Sequence, residues 1–247
     1  MIEKLKNFPQ IYYVSYYSSL ERRVELELQF QKYKIRDFNA FITTDEIDNA
    51  SIIKGPFLHQ MHKATINCVT SHLRALKYWY QNSKEQYLIM FEDDVFFNTI
   101  DYWNFSWDQF MSKLPNQWDC IQLLVIRQKL SQINFRQRQW NDWAATAYLI
   151  KREYVNRLLE QYYPQEEFLL TIPYGNIIPL VENIIFGLGN VYVVPLFVEN
   201  VHFNSTFYGR HTQTKQNADH IESAQYVLNW WKINPDNQLN SLFNKEP

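Results

Sequence analysis

Apolar residues recur along the chain in two rhythms. Short β-prone runs fall at 11–16, 38–42, 87–91, 119–125, 144–150 and 191–194. Between them lie stretches with helical spacing. Ser18 or Ser19 is placed to cap a helix running to Tyr33. Residues 65–80 put Val69, Leu73, Leu76 and Tyr80 on one apolar face. Further helices are predicted over 100–114, stopped by Pro115, and over 152–163. Two more follow at 180–186, broken by Gly187 and Gly189, and at 218–231. Residues 43–56 are polar and turn-like, and the basic, aromatic stretch 127–141 reads as a loop or hairpin over a site. Strands alternating with helices predict an α/β fold: a mainly parallel central sheet flanked by helices. Ligands bind such sheets beyond the carboxyl ends of the strands.

One strand end stands out. The apolar run Tyr87-Leu-Ile-Met-Phe91 stops at Glu92-Asp93-Asp94 and turns apolar again at Val95. Three adjacent carboxylates repel one another, and no basic residue lies within the run. A hard divalent ion, Mn²⁺ or Mg²⁺, suits that oxygen-rich cluster and commonly completes its shell with phosphate oxygens. The plain alternative is a solvated acidic turn, and the strand-end position favours the functional reading.

Composition narrows the classes. The chain has 247 residues, 46% hydrophobic and 20% charged, with a formal net charge of −2. That length supports a sizeable core. The charge balance argues against a general nucleic-acid binder, which carries a basic excess. Cys68 and Cys120 are the only cysteines. A disulfide scaffold is excluded, a cysteine-built zinc site is disfavoured, and both read as small buried residues in a reducing compartment. The first ten residues hold no apolar signal core, and no stretch approaches the ~18 apolar residues of a spanning helix. A cytoplasmic protein, or one peripheral to a membrane, is expected.

Several segments, in order, resemble the family 25 glycosyltransferases, which include lipopolysaccharide-type and collagen-type β-galactosyltransferases. Ile11-Tyr-Tyr-Val-Ser15 and Leu20-Glu-Arg-Arg23 are similar to that family's opening strand and Arg-Arg helix. Asn67-Cys-Val-Thr-Ser-His-Leu-Arg-Ala-Leu76 resembles its Gly-Cys-x-x-Ser-His-x-x-Ala-Leu helix. Tyr87 to Val95 resembles its apolar strand and Glu-Asp-Asp-Val, a DxD-like motif. Trp118-Asp-Cys-Ile-Gln-Leu123 and Ala145-Thr-Ala-Tyr-Leu-Ile150 are similar to two later strands. Asn67 and the Ala144–Ala145 pair stand where the family has glycines, and beyond Tyr163 the match is thin.

The resemblance implies a GT-A-like single domain, with a nucleotide-sugar and metal-binding half over 11–125 and an acceptor half with a C-terminal helix over 126–235. It implies a UDP-hexose donor, galactose or glucose, and inverting transfer to a hydroxyl of a glycan, a lipid-linked saccharide or a protein. In that frame Asp94 is expected to bind the metal directly. Glu92 would orient the donor ribose or the metal's waters, with Asp93 assisting. His202, His211 and His220 are candidates for a further metal ligand, His202 first and His211 close behind. Arg22 and Arg23 would reach the donor phosphate or base, unless they merely face solvent.

Inverting transfer needs one general base. Glu182 is the first candidate, because Val181 and Ile184 beside it would desolvate it and raise its pKa. Asp142 is the second. Trp140 and Trp143 are candidates for stacking on a sugar ring, against a plain core role. Ser71 and His72 are expected to buttress the acidic turn. Cys68 and His72, four apart, share a helix face, and core packing is favoured there over a nucleophile pair. The competing function is a non-catalytic transferase-like module that binds a sugar or nucleotide. A two-metal phosphohydrolase would need a second carboxylate cluster, and the sequence offers none.

Overall fold

The computed structural model describes residues 2–44, 53–54, 62–170, 179–202, 213–234, 236 and 238–243. Its strands are β1 (Gln10–Tyr16), β2 (Phe38–Thr43), β3 (Ile53–Lys54), β4 (Tyr87–Glu92), β5 (Val95–Phe96), β6 (Cys120–Gln122), β7 (Arg136–Gln137), β8 (Ala147–Lys151), β9 (Phe168–Leu169), β10 (Val191–Val193) and β11 (Val198–Glu199). Its α-helices are α1 (Leu20–Lys32), α2 (Lys63–Asn82), α3 (Trp107–Lys113), α4 (Arg152–Tyr162), α5 (Val181–Ile185), α6 (Gln213–Ile233) and α7 (Gln238–Phe243).

The expected α/β class and flanked, mainly parallel sheet are both present. Seven strands form one sheet in the order β2-β1-β4-β8-β6-β10-β7. Strands β2, β1, β4, β6 and β10 run one way, while β8 and the two-residue edge strand β7 run the other. Hydrophobic periodicity carries no strand direction, so the reversal of β8 between β4 and β6 was not visible beforehand.

The two faces of the sheet divide cleanly by residue parity. On β1, Ile11 and Tyr13 join one core, with Ile89 and Phe91 of β4 and Leu26 and Phe30 of α1. Tyr12 and Val14 join the other, with Leu88 and Met90 of β4 and Val69, Leu73, Leu76 and Trp79 of α2. Alternation along each strand therefore sends α1 and α2 to opposite faces. From β1 the chain passes through α1 out to β2, then returns through α2 to β4 on the other side of β1. The crevice beyond β1 and β4 is thus a topological switch point, where ligands of open α/β sheets bind.

Local chemistry explains most departures from the expected elements. The helix expected over 100–114 is two pieces, a 3₁₀ segment at Asn98–Tyr102 and then α3. Ser106 restarts the helix through a reciprocal capping box with Gln109. The strand expected from residue 144 begins only at Ala147, because Ala144 sits at φ 83°. Residues 119–125 contribute only Cys120–Gln122 to the sheet. The predicted C-terminal helix is longer than 218–231, running Gln213–Ile233. No helix among the described residues is long and apolar enough to cross a membrane.

Candidate active site

The acidic triplet lies at the carboxyl end of β4, where the sheet register decides its neighbours. Val14 pairs with Glu92, so Ser15 lies beside Asp93. The Ser15 hydroxyl donates to Asp93 Oδ2 at 2.5 Å. Arg22, on the first turn of α1, reaches across with one nitrogen. Its Nη1 donates to Asp93 Oδ1 and Asp94 Oδ2, both at 3.0 Å, and the whole group is buried. The sequence run holds no cation, but the fold supplies one from 71 and 72 positions away. Arg22 therefore neutralises part of the charge that a divalent ion was expected to carry alone. Arg23 ties down the turn after β1, donating to the Tyr16 and Tyr17 carbonyls at 2.5 and 2.9 Å. Neither arginine is a purely solvated helix residue.

Arg22 does not satisfy the cluster. Asp94 Oδ1 is buried and has no hydrogen-bond partner among the described residues. A buried, unpartnered carboxylate oxygen is costly and implies a missing cationic or donor partner. The second signal is Glu199. Strand β11 pairs with β5 so that Glu199 faces Val95, and the Asn200 amide donates to the Asp94 carbonyl at 2.6 Å. Burial pushes the Asp94 carboxyl well above the ordinary range, and the nearby charges of Glu199 and Glu92 push it further, against the pull of Arg22. Burial also raises Asp93, opposed by Ser15 and Arg22. These residues would suit a hard divalent ion through a buried carboxylate oxygen, without a partner among the described residues, on which the charge of a second carboxylate acts.

Glu199 was not among the sequence candidates. Its strand is two residues long, and only pairing with β5 brings it to the site. It accepts from His220 Nδ1 at 2.5 Å; burial lowers the His220 pKa, and the hydrogen bond and charge of Glu199 outweigh that and raise it. His220 thus contacts the acidic group of the site. His202 is exposed in the turn after β11, its backbone amide donating to Asn200 Oδ1 at 3.3 Å. His211 lies outside the described residues.

Glu92 points to the α2 side of the sheet. Its Oε1 meets His72 Nε2 at 3.1 Å and Cys68 Sγ at 3.7 Å, while Thr146 donates to Oε2 at 3.4 Å. Burial raises Glu92, but the hydrogen bond and charge of His72 outweigh it and bring the carboxyl below its ordinary value. His72 Nδ1 bonds the Tyr148 hydroxyl at 2.8 Å. Ser71 bonds back to the Asn67 carbonyl, so His72 rather than Ser71 touches the acidic group.

Glu182 lies next to this network. It accepts from the Ala144 amide at 3.2 Å, and burial followed by the charge of Glu92 raises its pKa. Asp142 is in a different situation. It is fully buried and gripped by Arg136 at 2.6 and 2.7 Å, by Arg127 at 3.3 Å and by the Gln139 amide at 2.6 Å. Those partners outweigh burial and lower its pKa. Arg138 bonds Gln122 Oε1 and the Asp142 carbonyl, and its charge acts on Glu182. The basic stretch is therefore an ordered frame around Asp142, not a free cationic surface. Trp140 is 78% exposed and Trp143 37%, edge to face at 6.4 Å, so neither is core.

The comparisons with known proteins add little. No family model matches the chain, and no curated protein matches it. Among solved structures it is similar to A197 from STIV, with 13% identity, a TM-score of 0.45, and coverage of 77% of this chain and 83% of that one. It is similar also to a glycosyltransferase involved in the glycosylation of the major capsid of PBCV-1, with 10% identity, a TM-score of 0.39, and coverage of 91% and 100%. A third likeness is to the inositol-1-phosphate CTP transferase from T. maritima, with 12% identity, a TM-score of 0.37, and coverage of 89% and 80%. These weak likenesses carry no weight in assigning the site. The family 25 resemblance rests on the sequence motifs alone.

Proposed function

We propose that the chain is a metal-dependent, inverting glycosyltransferase of GT-A type, moving a hexose from a UDP-sugar to an acceptor hydroxyl. One observation carries the reading: Asp94, with a buried oxygen that has no partner among the described residues, lies at the β1–β4 switch point with Glu199 brought to it by the β5–β11 pairing. In this reading Asp94 and Glu199 hold Mn²⁺ or Mg²⁺, with His220 orienting Glu199. His202 and His211 remain candidates for a further ligand. A bound ion would supply Lewis-acid stabilisation of the charge that develops on the departing diphosphate.

The chain's own residues do the rest. Asp93, fixed by Ser15 and Arg22, sets the position of the acidic turn. Glu92 accepts from the donor ribose through Oε2, its Oε1 being engaged by His72 and Cys68. Arg22 offsets part of the negative charge so that an anionic diphosphate can approach four carboxylates, Glu92, Asp93, Asp94 and Glu199. Glu182 takes the proton from the acceptor hydroxyl as it attacks in line; its raised pKa suits a general base. Asp142, with a lowered pKa and two arginine partners, is assigned to holding the 136–142 loop. Trp140 and Trp143 offer aromatic faces to the acceptor sugar from the end of that loop.

The second reading, a non-catalytic sugar- or nucleotide-binding module, is favoured by Arg22 itself, since a resident guanidinium already spans Asp93 and Asp94. Turnover separates the two. The chain would be incubated with UDP-hexoses and a glycan acceptor panel, with Mn²⁺ and with chelator. Transfer that needs the ion and inverts the anomeric configuration supports the enzyme. Tight UDP binding with no transfer, ion or not, would move the assignment to the binding module.

A further inference from the structure

A second cluster with metal-binding chemistry lies on the other side of β4. Cys68 and His72 are four apart on α2 and so share one helix face. Strand β4 brings Glu92 against that face. Three ligand atoms, a sulfur, a nitrogen and an oxygen, all lie within 4.8 Å of one another. Both helix residues converge on the same oxygen, Glu92 Oε1, at 3.1 Å from His72 Nε2 and 3.7 Å from Cys68 Sγ. In tetrahedral zinc sites with Zn–N and Zn–O near 2.1 Å and Zn–S near 2.3 Å, the corresponding edges are about 3.4 and about 3.6 Å. Two of the three edges therefore already match such an ion, and the third, from Cys68 Sγ to His72 Nε2, is no longer than 4.8 Å.

We propose that Cys68, His72 and Glu92 form a thiolate–imidazole–carboxylate site for a zinc-class divalent ion, distinct in chemistry from the all-carboxylate Asp94 side. Sulfur and nitrogen ligands select zinc and cobalt over magnesium and manganese. The surroundings fit. His72 is fully buried and its Nδ1 faces the Tyr148 hydroxyl at 2.8 Å, the outer hydrogen bond that metal-bound histidines commonly make. A tyrosine hydroxyl both donates and accepts, so Tyr148 suits either tautomer. On binding, Nε2 turns its lone pair to the ion, Nδ1–H donates to the Tyr148 hydroxyl, and the protons displaced from Nε2 and from the Cys68 thiol leave to solvent. Cys68 and Glu92 are half-buried, so the cluster is not sealed from solvent.

The test titrates Co²⁺, then Zn²⁺, into the chelator-treated full chain. Expected is one tightly bound Co²⁺ with thiolate-to-cobalt charge-transfer absorption, displaced by Zn²⁺. Cys68→Ser should abolish that absorption and weaken Zn²⁺ by at least about 100-fold, and Tyr148→Phe should weaken it about 10-fold. Asp94→Asn should keep the absorption, which separates this site from the one under Proposed function. A Zn²⁺ affinity in Cys68→Ser within about threefold of the parent, or cobalt bound without thiolate absorption, overturns the site. If Cys68→Ser fails to fold, alkylation of the parent decides. Cys120 is fully buried, so Cys68 is the thiol that reacts, and it must be protected by Zn²⁺ but not by Mg²⁺. Equal alkylation with and without Zn²⁺ overturns the proposal.

Discussion

Removing Arg22 tests how the acidic turn is held. Arg22→Met keeps an unbranched apolar stem but deletes the guanidinium that meets Asp93 and Asp94 at 3.0 Å each. At an effective dielectric of 20, each contact is worth about 5.5 kcal/mol of Coulomb attraction. Desolvation of the guanidinium offsets much of that, and breaking buried pairs by losing one partner costs about 3–5 kcal/mol net. For a chain of this size that is a fall in Tm of roughly 6–20 °C. The loss is pH-dependent, with a definite sign. Both carboxyls already titrate above their ordinary value, and without Arg22 they rise further. A carboxyl with a raised folded pKa contributes stability that is full below its unfolded value of about 3.9 and lost as pH climbs through the folded value. The variant should therefore be weakest at neutral pH and recover on mild acidification. Mn²⁺ at about 100 times its Kd for the variant should return about 2.7 kcal/mol, more than the same concentration returns to the parent. The assay is thermal unfolding in chelator and in Mn²⁺ across pH. A variant within about 0.5 kcal/mol of the parent, as for an ordinary surface change, would refute the charge assignment. So would a destabilised variant with no enhanced response to the ion.

Other sites give sharper local tests. Ala144→Gly should raise Tm by about 2–4 °C, because Ala144 sits at φ 83°, where a Cβ is strained by about 1 kcal/mol; an unchanged or lower Tm in unfolding scans counts against that strain. Asp142→Asn should lower stability by about 2–4 kcal/mol in denaturant titrations, less than a fully dry pair because Arg127 and Arg136 are partly solvated. Its pKa is lowered, so the stabilisation is present above about pH 3.9 and lost as pH falls through the folded value; the parent should show an acid-destabilising step that the variant lacks. Glu182→Gln should leave UDP affinity within about threefold and cut transfer by at least about 100-fold, and transfer at parental rates would remove Glu182 from the base role.

Much of the frame could be read from residue order. The short β-prone runs at 11–16 and 87–91 are the neighbouring strands β1 and β4. The α2 stripe of Val69, Leu73 and Leu76 packs as its spacing requires. The acidic triplet fell at a strand end, and Glu182 has a raised pKa, by burial and then the charge of Glu92. What escaped was long-range. Nothing near residue 93 announces that Arg22 will sit on it; that follows from β1 pairing with β4. Glu199 reaches the site through a two-residue strand too short to carry a pattern. The direction of β8 has no periodic signature. The i, i+4 spacing of Cys68 and His72 was legible and both pack as read, Cys68 against the core and His72 fully buried; that Glu92 joins them follows only from the position of β4.

The most direct measurement is calorimetric titration of UDP into the chain with Mn²⁺ and with chelator, beside Asp94→Asn. The expected result is UDP binding that needs Mn²⁺ in the parent and is lost, or weakened at least about 100-fold, in Asp94→Asn while the variant stays folded. A 100-fold loss corresponds to about 2.7 kcal/mol. UDP binding of equal strength with and without the ion, or undiminished in Asp94→Asn, would contradict a metal-bridged diphosphate site at the end of β4.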